Sequence, residues 1–528
     1  MNNFQTIKLS LLSALLFISA GISAQYSGNN PELFANKITV EKCRPHLEVL
    51  TSPEQEGRET GKPGNVAAAN YIASHFEKIG LPGIGDNNSW FQRMDYASES
   101  WSEIALSARG KNYNHGKDYY ALPAYNSDAE NIQGKQLVFL GYGIDDPAYS
   151  DYKGQNVKGK ILLILDAEPL DAEGKSYLTG SESLSDWSTD WQKKIETATK
   201  KGAKAVIIIH PRFAEQFPKI RRQFNAVTYG APPANKAWIN HCFVSPDMAL
   251  EMAGIKWEQV NSAKEKILNS GKAVPAIKIK CPIELTMLKQ IYSVNSNNVL
   301  GYIEGTDPLL KDEVVIVSAH YDHLGKKGEL IYHGADDNAS GTSGVMEIAS
   351  AFAEAKKSGT GPRRSVLCLL VTGEEKGLWG SMYYTLNPVF PLENTVADVN
   401  IDMIGRVDDK HAADPDYIYV IGSDRLSTAL HKINEAANAS YTRLKLDYTY
   451  NAKDDPNRYY FRSDHYNFAK NGIPVIFYFN GTHADYHKPT DTIEKINMDA
   501  LVKRTRLAFY TAWELANRDE RIEVDVKE

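Results

Sequence analysis

The sequence predicts an α/β protein: a mainly parallel, mixed sheet sandwiched by helices and interrupted by an inserted β-rich domain. Three observations carry this. From Asn298 onward the apolar runs VVIVSA, VLCLLV, VADVNI and PVIFYF read as strands buried on both faces. Ser340 to Lys357, between the first two, has the spacing of a helix, and that alternation is the mark of parallel strands joined by helical crossovers. From about Asn131 to near Leu288 the texture differs, with short β-rich runs separated by Gly-Lys turns and Pro clusters.

Along the chain the elements fall in order. Residues 1–24 read as a signal peptide: Lys8 gives a weakly basic start, Leu9 to Ala20 an apolar run, and Ile22-Ser23-Ala24 a small-residue end suited to cleavage before Gln25. The run is too short to span a bilayer comfortably, and no later segment is long and apolar enough, so stable membrane insertion is not expected. The expected destination is the periplasm or the medium. Residues 25–130 form the first part of the main domain, with a helix from Val66 to Ile79 stopped by Gly80. Residues 131–288 form the insert, where QLVFLGYGI, KGKILLILD and AKAVIIIHP read as strands and KKIETATKKGA as a helix. Residues 289–528 complete the main domain.

Composition excludes some classes of function. The formal charge of −7 is mild for 528 residues, so neither nucleic acid nor an anionic membrane is an expected partner. Four Cys (Cys43, Cys242, Cys281 and Cys368) are too few for a disulfide framework. Cys368 lies in an apolar run and reads as a buried thiol, whereas Cys242 and Cys281 are candidates for a pair.

The chemistry gathers where such sheets place it, at the carboxyl ends of strands. His320 and Asp322 follow VVIVSA, Glu374 and Glu375 follow VLCLLV, Asp402 ends VADVNI, and His487 lies in the loop after PVIFYF. Asp336 and Asp337 precede the helix that starts near Ser340. A carboxylate at the end of a core strand is costly unless something pairs with it. Two imidazoles with several carboxylates and no thiol suit zinc, and also cobalt or manganese. Such a set around two cations makes a hydrolytic site. Each piece alone has a plainer reading; GADDNASG, for example, also reads as a turn and helix cap.

In the order AHYDH, GADDNASG, TGEEKGLWGS, NIDMIG and DYHKPTDT the chain resembles the zinc exopeptidases related to Vibrio leucyl aminopeptidase, a group that includes glutamate carboxypeptidase and glutaminyl cyclase. EGRETGKPGNVAAANYIASHFEKIGL resembles the opening helix of that family. The resemblance implies two Zn2+ ions, one held by His320, Asp336 and Asp402 and the other by Glu375 and His487, with Asp336 bridging. It implies Glu374 as general base, Asp322 as the partner that orients His320, and a cis peptide at Asp336-Asp337. NVKGKILLILD and KIETATKKGAKAVIIIH give the insert a likeness to the protease-associated domain.

The expected function is therefore an exported metallo-exopeptidase acting on peptides, with an aminopeptidase as the leading reading. A carboxypeptidase of the same fold is the alternative, for which Arg458 and Arg462 offer cations to a substrate carboxylate. A one-zinc glutaminyl cyclase and a non-catalytic binding protein fit less well, because every ligand position is filled. Tyr448, Tyr450, Tyr459, Tyr460 and Phe461 are candidates to line a pocket for an apolar side chain.

Overall fold

The computed structural model describes residues 30–216, 228–230 and 238–526. The expected signal segment, residues 1–24, lies outside the described residues.

Twelve strands organise the molecule: β1 (Phe91–Ala108), β2 (Ala129–Phe139), β3 (Ile161–Leu165), β4 (Ala205–Ile209), β5 (His241–Val244), β6 (Ile277–Ile303), β7 (Val314–His320), β8 (Ser365–Val371), β9 (Thr395–Ile401), β10 (Tyr417–Ile421), β11 (Lys445–Asp447) and β12 (Val475–Phe479). With shorter edge strands they make one continuous sheet in the order β11-β10-β12-β9-β7-β8-β6-β2-β3-β4-β5. The four strands expected after Asn298 are adjacent and parallel, β12-β9-β7-β8. Strands β6 and β10 join them antiparallel, which makes the sheet mixed.

The helices that matter for the site are α1 (Val40–Leu50), α2 (Pro63–Lys78), α3 (Trp191–Lys200), α4 (Gly341–Lys357) and α5 (Met498–Asn517). Pro63 opens α2, a position where its missing N–H has no helical partner to lose. The α2 face of Ala68, Ala69, Ile72, Ala73 and Phe76 then turns to the core at helical spacing. Helix α4 is buried along nearly its whole length, so its small residues Gly341, Ser343, Gly344 and Ala349 allow close packing on the sheet.

Alternation sorts the strand side chains into two layers. Val315, Val317 and Ala319 of β7 enter the core shared with α1, α2, α4 and α5, whereas Val314 and Ile316 enter the core on the opposite face. Every residue of β7, β8 and β9 is buried, and each large aliphatic side chain there contributes about 1.5–3 kcal/mol of burial.

Strands β2 to β5 carry a second pair of cores, with Ile161, Leu163 and Leu165 on one face of β3 and Leu162 and Ile164 on the other. The boundaries 131 and 288 fall inside β2 and inside the 27-residue strand β6, and β6 with its partner β1 runs through both units. The second unit also takes Leu106 and Ala108 from β1 into its core. All four Cys are buried free thiols, so Cys242 and Cys281 do not pair. Among the described residues no helix is long and apolar enough to cross a membrane.

Candidate metal centre

Four parallel strands end on the same edge, and the loops that leave them converge there. His320 is the last residue of β7, Glu374 and Glu375 open a tight turn just after β8, Asp402 follows β9, and His487 lies in the loop beyond β12. Asp337 comes from the irregular segment Ala335–Ser340 that leads into α4.

Asp337 is the centre of the cluster. Its Oδ1 lies 3.3 Å from His320 Nε2 and its Oδ2 lies 3.0 Å from His487 Nε2. Around His320, Asp402 Oδ1 stands 3.2 Å from the same Nε2, and donor atoms of His320, Glu374 and Asp402 all lie within 4.8 Å of one another. Around His487, Glu375 Oε2 stands 3.2 Å from Nε2. The two groups therefore share one carboxylate, with one oxygen on each side.

That geometry corrects the assignment of Asp336. Its side chain is turned away and fully occupied: Oδ1 accepts from Gly405 N–H at 2.7 Å and Ser340 Oγ at 3.2 Å, and Oδ2 accepts from Asn480 Nδ2 at 3.0 Å. His483 Nε2 stands 3.2 Å from the same Oδ2. Adjacent residues in this segment project in different directions, so only one of the two aspartates can face the histidines. The cis peptide is likewise one bond later, at Asp337-Asn338 rather than Asp336-Asp337.

The supporting contacts are dense. Asp322 Oδ1 accepts from Glu374 N–H at 3.2 Å, and Thr60 Oγ1 donates to Oδ2 at 2.8 Å. The Asp322 carboxylate is 3.7 Å from His320 Nδ1; the nearer partner of that nitrogen is the Asp322 main-chain carbonyl, at 3.2 Å. Residue 322 therefore orients His320 chiefly through its backbone, and its carboxylate holds the turn that carries Glu374. Ser463 Oγ donates to Asp402 Oδ2 at 2.7 Å and accepts from Asn400 Nδ2, which fixes the carboxylate from behind.

Several participants had only a weak signal in the sequence. His323 Nδ1 is 2.8 Å from Glu375 Oε1, although its motif AHYDH had drawn attention to His320 and Asp322 alone. Asp491, inside DYHKPTDT, accepts from the backbone N–H groups of Asp336 and Asp337 and so shapes the segment that aims Asp337.

Arg58, fully buried, donates to the carbonyls of Leu50, Tyr321, His333 and Gly334, tying the strand-end loops together beneath the cluster. Burial lowers its pKa to about 10 against the pull of Asp337 and Asp322, so it stays charged at neutral pH. Arg58→Met should strip four acceptors of their donor and cost at least about 3 kcal/mol, read as a lower denaturant midpoint. A midpoint shift under about 0.5 kcal/mol would show that the guanidinium holds nothing together.

The electrostatics favour cations. Burial works against charge on His487, but Asp337 and Glu375 outweigh it and raise its pKa to about 10. Burial likewise opposes charge on His320, yet Asp402 and Glu374 hold it well above the ordinary range. Burial pushes the Glu374 carboxyl up, and Glu375, Asp402 and Asp464 push it further, well above the usual carboxylate range despite His320. Carboxylates in this number need positive charge beside them, and divalent cations taken by the same nitrogens and oxygens would supply it. Two imidazoles and three carboxylates, spaced 3.0–3.3 Å across each ion pair, fit that purpose.

Beside Asp337, Glu374 and Asp402 a cleft opens, lined by Met403, Tyr459, Arg462, Phe477, Phe479 and Tyr486. Of the aromatic stretch only Tyr459 lines it: Tyr448 pairs with Glu435, and Tyr450 and Tyr460 pack behind. Arg462 lies over the Tyr459 ring at 4.8 Å, whereas Arg458 lies over Phe461, which is not among the lining residues.

Residues 298–512 match Peptidase family M28. A "Probable leucine aminopeptidase" of Arthroderma otae is 27% identical over 216 residues, which are 40% of this chain and 56% of that protein. A "Probable zinc metalloprotease" of Pyricularia oryzae is 27% identical over 272 residues, 44% of this chain and 52% of that protein. The chain thus spans about half the length of the curated relatives it matches. Among solved structures, the aminopeptidase from Aneurinibacillus sp. strain AM-1 superposes with a TM-score of 0.52 at 18% identity, covering 94% of this chain and 99% of that one, a likeness of fold. Every imidazole and carboxylate gathered around Asp337 lies within the span that matches peptidase family M28, residues 298–512.

Proposed function

We propose that the protein is a di-zinc aminopeptidase, with the metals held by His320, Asp402 and Asp337 on one side and by Asp337, Glu375 and His487 on the other. The observation that carries this is the single carboxylate of Asp337 placed between two imidazole-carboxylate groups, 3.3 Å from one and 3.0 Å from the other. Two divalent cations bound there would acidify a water and polarise the scissile carbonyl. Glu374, whose proton affinity its neighbours raise, takes the water's proton and passes it to the leaving amine. Asp322 keeps that base in place through the Glu374 N–H, and Ser463 keeps Asp402 from rotating.

The choice of peptide end rests on charge and shape. The carboxylates around Asp337 favour a substrate ammonium or amine over a carboxylate. An amine held against them limits cleavage to the first bond. Met403, Tyr459, Phe477 and Phe479 favour an apolar side chain on that first residue. The name of the Arthroderma otae relative supports the same reading. Arg462 at the cleft favours a second reading, a carboxypeptidase, because an exposed guanidinium there is placed to take a free carboxylate. A leucyl anilide, its N-acetylated form and a C-terminally blocked leucyl peptide separate the two. Cleavage of the first and third with at least about 100-fold loss on acetylation is expected. Equal cleavage of the acetylated anilide, or a strict need for a free C-terminus, would overturn the aminopeptidase reading.

Export is part of the proposal, supported by Lys8 and the apolar run that follows it. N-terminal sequencing of the protein recovered outside the cytoplasm should begin at Gln25; retention of Met1 there would contradict it.

A further inference from the structure

Where α1, α2 and α4 meet, three helices bring together a second set of ligand-type side chains. His46 comes from α1, His75 from α2 and Glu347 from α4. One ring nitrogen of each histidine and one carboxylate oxygen of Glu347 lie within 4.8 Å of one another. We propose that His46, His75 and Glu347 form a separate binding site for one divalent transition metal, zinc by its donor set, which bolts the first two helices onto α4. The proposal stands on these residues alone and does not depend on the peptidase reading.

Four observations support it. His46 Nε2 and Glu347 Oε1 are 3.0 Å apart, the same separation as His487 and Asp337 in the first cluster. Two ligands on one tetrahedral zinc sit about 3.3 Å apart, given metal-ligand bonds of about 2.0–2.1 Å, so small movements would admit the ion. The second oxygen of Glu347, Oε2, is buried with no hydrogen-bond partner, on a residue only 4% exposed. A buried carboxylate oxygen in that condition is costly, and a cation relieves it. His46 Nδ1 lies 2.8 Å from the Tyr71 phenol Oη, and in the tautomer that donates from Nδ1 to that oxygen the Nε2 lone pair faces Glu347.

The fourth observation is the placement and access of His75. Its ring lies 4.7 Å from that of His46 at an angle of 85°, and its Nε2 is 3.0 Å from Ser350 Oγ. His75 is only partly buried, which leaves a path from solvent. Two imidazoles and one carboxylate suit zinc, with water to complete the shell. The alternative is a hydrogen-bonded His-Glu pair that ties the helices without an ion.

The test measures metal directly. The full-length protein is equilibrated with zinc chloride, freed of loose metal, and analysed beside Glu347→Gln and His75→Ala. Each variant is expected to hold about one zinc per chain fewer than the parent. Crystals of the parent protein soaked in zinc chloride should show an anomalous peak at the zinc edge between the three side chains. That second readout does not depend on how well the variants fold. Unchanged zinc content in both variants, or no anomalous peak between His46, His75 and Glu347, would overturn the proposal.

Discussion

Glu374→Gln is expected to lower kcat by at least about 1,000-fold while leaving metal content and melting behaviour as they are. The amide keeps the shape of the side chain, and the Glu374 N–H still reaches Asp322 Oδ1. What is lost is the basic oxygen near His320 and Asp402. Glu375→Gln should behave differently. Glu375 accepts from or faces both His323 and His487, at 2.8 and 3.2 Å, so its loss should weaken metal binding before it affects the proton transfer. Metal analysis and single-turnover kinetics on the two variants check this together. If Glu375→Gln kept its metal and lost only turnover, while Glu374→Gln lost metal, the roles of the pair would be reversed.

The second large effect separates the neighbouring aspartates. Asp337→Asn removes the carboxylate that both histidines face, so it should lower metal affinity by more than the roughly 10–100-fold expected for an outer partner, and abolish activity with it. Asp336→Asn should keep metal. It weakens the contacts to Gly405, Ser340 and Asn480, and its expected cost is about 1–3 kcal/mol of stability. Equilibrium dialysis against zinc and a denaturation curve on each variant measure both halves. Loss of metal in Asp336→Asn with retention in Asp337→Asn would return the bridging role to Asp336.

That one-residue difference shows where the sequence stopped being legible. The strand pattern of β7, β8, β9 and β12 follows from uninterrupted apolar runs, which only a sheet covered on both faces can bury. Polar residues at the ends of those runs stood out because water and core exclude each other so sharply there. His320, Glu374, Glu375, Asp402 and His487 were found that way, and the structure brings all five to one edge. Asp336 and Asp337 are chemically identical and adjacent. Only the path of the backbone through Ala335–Ser340, held by Asp491 and Gly405, decides which carboxylate faces the histidines.

Other features depend on contacts between residues far apart in the chain. Arg58 lies more than 260 residues from Tyr321, whose carbonyl it binds, and nothing local in EGRETG marks it as buried. His46, His75 and Glu347 come from three helices, and no spacing rule links them. The insert boundaries were hidden for a different reason. Strand β6 runs unbroken from the second unit into the first, so no turn or linker marks the change.

The proposed reaction removes residues from the amino end of peptides at this edge of the sheet. Digestion of a mixed library of free peptides, followed by mass spectrometry, tests it most directly. Ladders shortened one residue at a time from the N-terminus are expected, fastest for apolar first residues, absent with Glu374→Gln and absent after chelation. Ladders that shorten from the C-terminus, or internal cuts, would contradict it.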